Sequence, residues 1–171
     1  MDEVLHLIEE KKRKLDKVRP LAPPVQKSIE DWLRIELTYN SNAIEGNTLS
    51  RVETKLIVEE GITAQGKSLV EHQEAINHAK AFDYVVSLVY EKVTPPLSRI
   101  VMDIHTMILD KINDEYKGRY RNAPVRIQGS NAVLPNYMKV PDEMEAFYKN
   151  LEKISKTSII ELACVAHYEL A

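Results

Sequence analysis

The run Gly61-Ile-Thr-Ala-Gln-Gly66-Lys67-Ser68 matches, letter for letter, the pattern in which a glycine-rich loop cradles phosphates and a following lysine reaches them. Such a loop needs a buried strand before it and positive potential around it. Here the preceding Leu56-Ile-Val58 leads into Glu59 and Glu60, two carboxylates placed where the phosphates would lie. The chain has no other apolar strand runs from which to build a parallel sheet. A nucleotide-binding loop at 61–68 is therefore an outside alternative, and Ser68 is better employed as the cap of the helix that follows.

A second candidate is Asn40-Ser-Asn-Ala-Ile-Glu-Gly-Asn47. Ser41 and Glu45 stand four apart and share one helix face, and Gly46 supplies the left-handed residue that ends the helix. A carboxylate in the last turn faces the negative end of the helix dipole and loses about 0.3–1 kcal/mol unless a cation pairs with it. Two readings stay open on spacing alone: a solvated glutamate that tolerates the penalty, or one held out to meet an arginine elsewhere in the fold.

The histidines make no ligand set. His72 and His78 lie on different helix faces and read as solvated or capping groups; His105 and His167, on strongly apolar helices, read as hydrogen-bonded core histidines, and His6 is isolated. No metal site is indicated. The basic run Lys11-Lys-Arg-Lys14 follows Glu9 and Glu10 at ion-pair spacing, so a solvated charged face is expected rather than a nucleic-acid patch. The net charge of −3 gives no general case for nucleic acid either.

These residues must be positioned by helices. The chain has 171 residues, one ordinary domain, with 44% hydrophobic and 29% charged side chains and no apolar run that could span a membrane. Its single cysteine, Cys164, excludes an internal disulfide. Asp2 and Glu3 after Met1 are not a secretory start, so a cytoplasmic location is expected. Apolar positions recur at helical spacing, predicting helices over 2–17, 25–45, 51–60, 69–91, 98–113, 141–153 and 158 onward. Ser50/Glu53, Ser68/Glu71 and Ser158/Glu161 each have the spacing of a reciprocal capping box. The prolines at 20, 23, 24, 95 and 96 break the chain between helices. Residues 123–135 alone have strand character, with Gly129-Ser-Asn131 as a turn, and predict one small β-hairpin over 125–134 leaning on the helices. The last helix ends at Ala171 without a stop signal, which reads as a fragment; Leu162, Val165, Ala166 and Leu170 would then offer an apolar face for self-association.

Taken together, Ser41-Asn-Ala-Ile-Glu-Gly-Asn47, Gly66-Lys-Ser-Leu69 with Glu71, Glu74 and Asn77, then Gly118-Arg-Tyr-Arg121, the hairpin, and Ala166-His-Tyr-Glu-Leu170 resemble the Fic family, in family order and spacing from about Ile35 to the last residue. The resemblance implies an all-α, Fic-like helical domain with one small β-hairpin flap. It divides the chain into an N-terminal helix and Pro-rich connector at 1–24 and the N-terminal part of the Fic-like domain at 25–171.

Most Fic proteins transfer AMP from ATP to a Ser, Thr or Tyr hydroxyl of a protein. The family's catalytic motif, H-P-F-x-x-G-N-G-R-x-x-R, is not in this sequence, so no catalytic residue is assigned and His167 is not promoted to the missing base. The resemblance implies that Ser41, Glu45 and Gly46 form a self-inhibitory motif, Glu45 pairing with a motif arginine. It further implies that Val125, Arg126, Ile127, Gly129, Ser130, Asn131 and Ala132 form a flap holding an extended segment of a target protein by strand-like pairing. ATP and Mg2+ are implied for the complete protein and none for this chain, which is expected to be inactive alone, with neither nucleic acid nor membrane as partner. The alternative is a degenerate Fic-like protein that acts only by binding.

Overall fold

The computed structural model describes residues 2–91, 95–126, 129, 133–154 and 158–170. Among them all regular structure is helical: α1 (Asp2–Asp16), α2 (Pro23–Ile44), α3 (Arg51–Lys55) running into a π-helical turn (Leu56–Glu60), α4 (Leu69–Tyr90), α5 (Leu97–Leu109), a 3-10 turn (Tyr137–Lys139), α6 (Val140–Ile154) and α7 (Ile159–Leu170). The boundaries follow from local chemistry. Pro23 and Pro24 occupy the first turn of α2, where no N–H is needed. Ser50 and Ser68 each accept an N–H from the glutamate three residues on, and each glutamate carboxylate takes the serine N–H in return. At α7, Ser158 Oγ takes the Ile160 N–H at 3.4 Å.

Helix α4 is the middle of the domain. It runs antiparallel to α2, with Arg34 forked onto Asp83 at 2.7 and 2.8 Å and Thr38 Oγ1 3.0 Å from His78 Nδ1. On its other side it meets α5, where Tyr84 donates to Asp103 at 3.2 Å. The contact face of α4 is made of small residues, with Ala75 and Ala79 essentially without exposure, which lets its neighbours approach closely. The largest fully buried side chains are polar: Asn77, Thr38 and Thr54. Asn77 donates to the carbonyls of Ile108 (3.0 Å) and Asp110 (2.7 Å), so it closes the carbonyl end of α5, and its own oxygen takes a proton from Gln73 at 2.8 Å.

Two apolar clusters complete the core. Leu49, Ile57 and Ala75 join α3 and the π turn to α4, while Phe147, Tyr148 and Leu151 of α6 pack with Leu97, Val101, Leu162, Val165 and Ala166. Three of the four residues expected to bare an apolar face on the last helix thus have a partner within the chain; Leu170 stays 55% exposed.

The expected β-hairpin is not seen. Val125, Arg126, Val133 and Leu134 have no strand structure, Gly129 sits in a turn with φ +77, and Ile127, Ser130, Asn131 and Ala132 lie outside the described residues. A two-stranded ribbon with no sheet beside it is marginal, and Val133 is 97% exposed, so its described flanks lack the apolar support that pairing requires.

Replacing Asn77 by Ala should lower the unfolding free energy by about 2 kcal/mol, since two buried carbonyls and the Gln73 amide lose their partner together. A urea titration with an unchanged midpoint would show that α5 closes without it.

Candidate functional site

Segment 41–50, where α2 ends and α3 begins, is fixed by polar contacts to the start of α4. Helix α2 stops at Glu45, whose N–H still bonds to the Asn42 carbonyl at 3.1 Å. Gly46 then takes φ +95, a left-handed value that a β-carbon would resist, and lets the Asn47 N–H return to the Asn42 carbonyl at 3.0 Å. The Asn47 side chain reaches α4, donating to the Glu71 carbonyl at 3.0 Å and the Glu74 carboxylate at 2.8 Å, while its oxygen takes the Leu49 N–H at 2.9 Å.

Glu71 is the hub of this arrangement. One carboxylate oxygen accepts the N–H and hydroxyl of Ser68, both at 2.9 Å; the other accepts the N–H of Thr48 at 2.9 Å and its hydroxyl at 2.5 Å. Four donors favour the ionised form, led by the Thr48 hydroxyl, and hold the Glu71 carboxyl down at about 2. Lys67 closes the cluster by donating to the Thr48 carbonyl at 2.5 Å and the Thr48 hydroxyl at 3.0 Å.

The structure places the sequence-derived residues as follows. Ser41 is half-buried and Glu45 exposed, one turn apart at the end of a helix whose far side is clamped. The Glu45 carboxylate has no ion pair among the described residues, whereas Glu36 of the same helix pairs with Arg51. Between them in sequence, the Asn42 Nδ2 is buried with no hydrogen-bond partner among the described residues. The flap residues Val125, Arg126 and Gly129 lie at a different place from Ser41, Glu45 and Gly46. Val125 lines a cavity of about 850 Å3 between α5, α6 and the end of α7, whose walls include Ile104, Ile108, Tyr120 and Met144.

The loop at 61–68 does not cradle phosphate. It follows a π-helical turn instead of a strand, Gly61 caps that turn with φ +67, and Lys67 is engaged by Thr48. Ser68 caps α4, as expected. No group of three or more His, Cys, Asp and Glu among the described residues is placed to hold a metal ion.

The histidines differ in part from expectation. His72 is buried rather than solvated, its Nε2 accepting the Ala64 N–H at 2.9 Å and its Nδ1 donating to the Ser68 carbonyl at 2.6 Å, so it ties the 61–68 loop to α4. His78 is half-buried against Thr38, and burial pushes its pKa down. His105 is hydrogen-bonded, accepting the Gly118 N–H at 3.1 Å, but half-buried rather than in the core, and His167 is exposed on α7. Thr48 and Lys67 carry the clamp and were missed as such. The signal available was the density of small polar residues directly after a glycine helix stop.

Comparisons with known proteins bear on this site. The Fic/DOC family model matches residues 96–171. Protein adenylyltransferase Fic of Nematostella vectensis is 32% identical over 170 residues, covering 98% of this chain and 39% of its own length. Protein adenylyltransferase fic-1 of Caenorhabditis elegans is 31% identical over 133 residues, 77% of this chain and 26% of its own. The chain therefore spans well under half the length of these curated relatives. Among solved structures, a Fic domain containing signaling protein from Bacteroides thetaiotaomicron superposes with a TM-score of 0.82 at 25% identity, covering 94% of this chain and 63% of that one. Fic-1 from C. elegans superposes at 0.73 with 24% identity, covering 96% and 51%.

Two measurements follow from the clamp. A carboxylate whose pKa is depressed stabilises the fold above its unfolded value near 4.5, and that contribution is lost as pH falls through about 2. The stability gap between the parent and Glu71→Gln should therefore be constant above pH 5 and close between pH 4.5 and 2 in acid titrations followed by circular dichroism. Calorimetry with ATP and magnesium should show no affinity that Lys67→Ala abolishes; a micromolar site lost in that variant would restore the phosphate loop.

Proposed function

Residues 96–171 belong to the Fic/DOC family, and from that premise we propose that this chain is the regulatory and target-positioning part of a self-inhibited protein adenylyltransferase, one that moves AMP from ATP to a Ser, Thr or Tyr hydroxyl of a protein. The adenylyltransferase names of the relatives support the reaction class. The observation that carries the regulatory part is Glu45. Its carboxylate ends a clamped helix, stands exposed with no ion pair among the described residues, and accepts the unfavourable end of the helix dipole.

The role of each group follows from the chemistry. Glu45 holds an arginine of the catalytic motif and withholds it from the nucleotide, as Glu36 holds Arg51 within this chain. Ser41, one turn earlier on the same face, steadies that pair. Gly46 ends the helix directly after Glu45, so the carboxylate sits at the tip instead of inside a continuing turn. Segment 125–134 receives the target as an extended stretch by main-chain pairing. ATP and Mg2+ belong to the complete protein, and the chain by itself transfers no AMP. No helix among the described residues is long and apolar enough to cross a membrane.

The test uses the full reading frame, or this chain joined to a relative's catalytic segment. Glu45→Gly should raise self-modification with labelled ATP by about tenfold, within the usual span of coupling between two sites. The substitution falls at a helix end with φ −84, where glycine is tolerated, so folding should survive. Ser41→Ala should act in the same direction and less strongly. A folded Glu45→Gly protein no more active than its parent would reduce Glu45 to a solvated helix end.

A further inference from the structure

Val4, Ile8, Lys11 and Leu15 of α1 succeed one another at steps of four, three and four residues, the spacing of a heptad seam. On α2, Val25, Ile29, Trp32 and Glu36 repeat that spacing. Val4 lies three whole heptads before Val25, so one phase runs through both helices, with Val18 on it in the connector. Each seam holds one charge, a cation in α1 and a carboxylate in α2. The domain covers neither of them: the seven apolar side chains on this phase are between 37 and 61% exposed.

Helix α2 meets α4 through another face, the one that buries Ile35 and Thr38, with Thr38 bonded to His78. It is therefore apolar on two sides and packed on one. Helix α1 has exposed side chains from Glu3 to Asp16 apart from Leu5, which is half-buried. The two uncovered seams match each other in length and in charge. A hairpin closed within one chain through the short connector 17–22 would bring Val18 beside Val25, and so set Lys11 on Trp32 and Glu36 on Ile8, each charge against an apolar group. The α1 of a second copy is free of that tether. Laid antiparallel with its Lys11 against Glu36, it places its Leu15 on Trp32 and its Val18 on Ile29, so that these layers are either apolar or oppositely charged.

We propose that the chain pairs with a second copy of itself by exchanging α1, each copy's α1 lying on the other's α2. The exchange is two-fold and closed, since the same contact is made twice and both seams of both copies are covered at once. Two such contacts, each with seven apolar side chains that are well exposed in the single chain, reach the range of about 1,200–2,000 Å2 that a stable pairing needs. Lys11 and Glu36 fix the register, as a single polar position in a heptad seam does, because a slip of one layer sets each charge against an apolar neighbour. Arg51 pairs with Glu36 from within the chain and orients its carboxylate.

Size exclusion with light scattering on the full chain, across the micromolar range, measures the pairing. A monomer–dimer equilibrium is expected. Ile8→Asp on α1 and Ile29→Asp on α2 should each raise its dissociation constant about tenfold or more, the cost of losing one anchoring side chain, with the far-ultraviolet circular dichroism unchanged because both positions are exposed in the single chain. Leu69→Asp, at the most exposed leucine among the described residues, should leave the equilibrium where it is. Exchange is separated from folding back by cysteine pairs in a Cys164→Ser background: a chain with Leu15→Cys mixed with a chain with Trp32→Cys should give a disulfide-linked heterodimer under mild oxidation. A monomer throughout the range overturns the proposal, as does loss of pairing in Leu69→Asp but not in Ile8→Asp. A chain carrying both Leu15→Cys and Trp32→Cys that closes on itself as a monomer overturns it too, and so does a monomer that sediments with anionic vesicles, since α1 would then serve a lipid surface. The assay contains no nucleotide and no transfer step, so neither its success nor its failure touches the Glu45 reading.

Discussion

A single carboxylate carries the geometry of the α2–α4 junction. Glu71 uses one oxygen to close the cap of its own helix on Ser68 and the other to seize the main chain and hydroxyl of Thr48, more than twenty positions earlier. Asn47 adds two further bonds to α4, and Lys67 screens the cluster from above Thr48. The turn at 46–50 is consequently held at several of its polar groups, and the end of α2 cannot swing without unmaking a helix start. A chemical group presented from such a helix end is held more exactly in place than one on a loop, which is what a blocking carboxylate requires.

The helix pairs around α4 are specified by polar contacts as much as by apolar volume. With alanines at the interface, close approach leaves room for few large side chains, and the fully buried ones are Asn77, Thr38 and Thr54. Each has its partner in a neighbouring element or in the turn before its own helix: Asn77 in the carbonyls after α5, Thr38 in His78, Thr54 in the Ser50 carbonyl at 3.0 Å. Polar groups of this kind penalise a shifted register more than methyl groups do, because a slip of one residue leaves buried donors unpaired. Weight of apolar packing instead lies at the other end, where α6 gathers α5 and α7 around Phe147, Tyr148 and Leu151.

What could be read from the sequence was local. Helix periodicity placed seven helices to within a few residues, and Ser50/Glu53 and Ser68/Glu71 announced two starts because the capping box is complete within four residues. Through-space partnerships left no such trace. The second oxygen of Glu71, the burial of His72 between Ala64 and Ser68, and the covering of Leu162 and Val165 by α6 all depend on which element returns to which. No strand of the expected hairpin appears among the described residues, for a related reason: alternation and a turn describe a strand's own preferences, whereas strand structure needs a neighbour, and Val133 is 97% exposed. Ser41, Glu45 and Gly46 were legible as a motif, and the clamp beneath them was not.

The stretch from Gly61 to Ser68 shows how the same letters acquire different chemistry from their surroundings. In a phosphate loop the glycines open a nest of N–H groups and the lysine keeps its ammonium free for the ligand. Here Gly61 takes its left-handed φ to end a π-helical turn, with its N–H returned to the Ile57 carbonyl at 3.2 Å, and Ala64 gives its N–H to His72. Lys67 donates to the carbonyl and hydroxyl of Thr48, a residue whose N–H and hydroxyl are themselves bound to Glu71. Removing the lysine would therefore release Thr48 before it affected any ligand, and the motif's last two residues make a structural unit: a lysine that fixes the preceding turn and a serine that starts α4 in the register that brings Glu71 to Thr48.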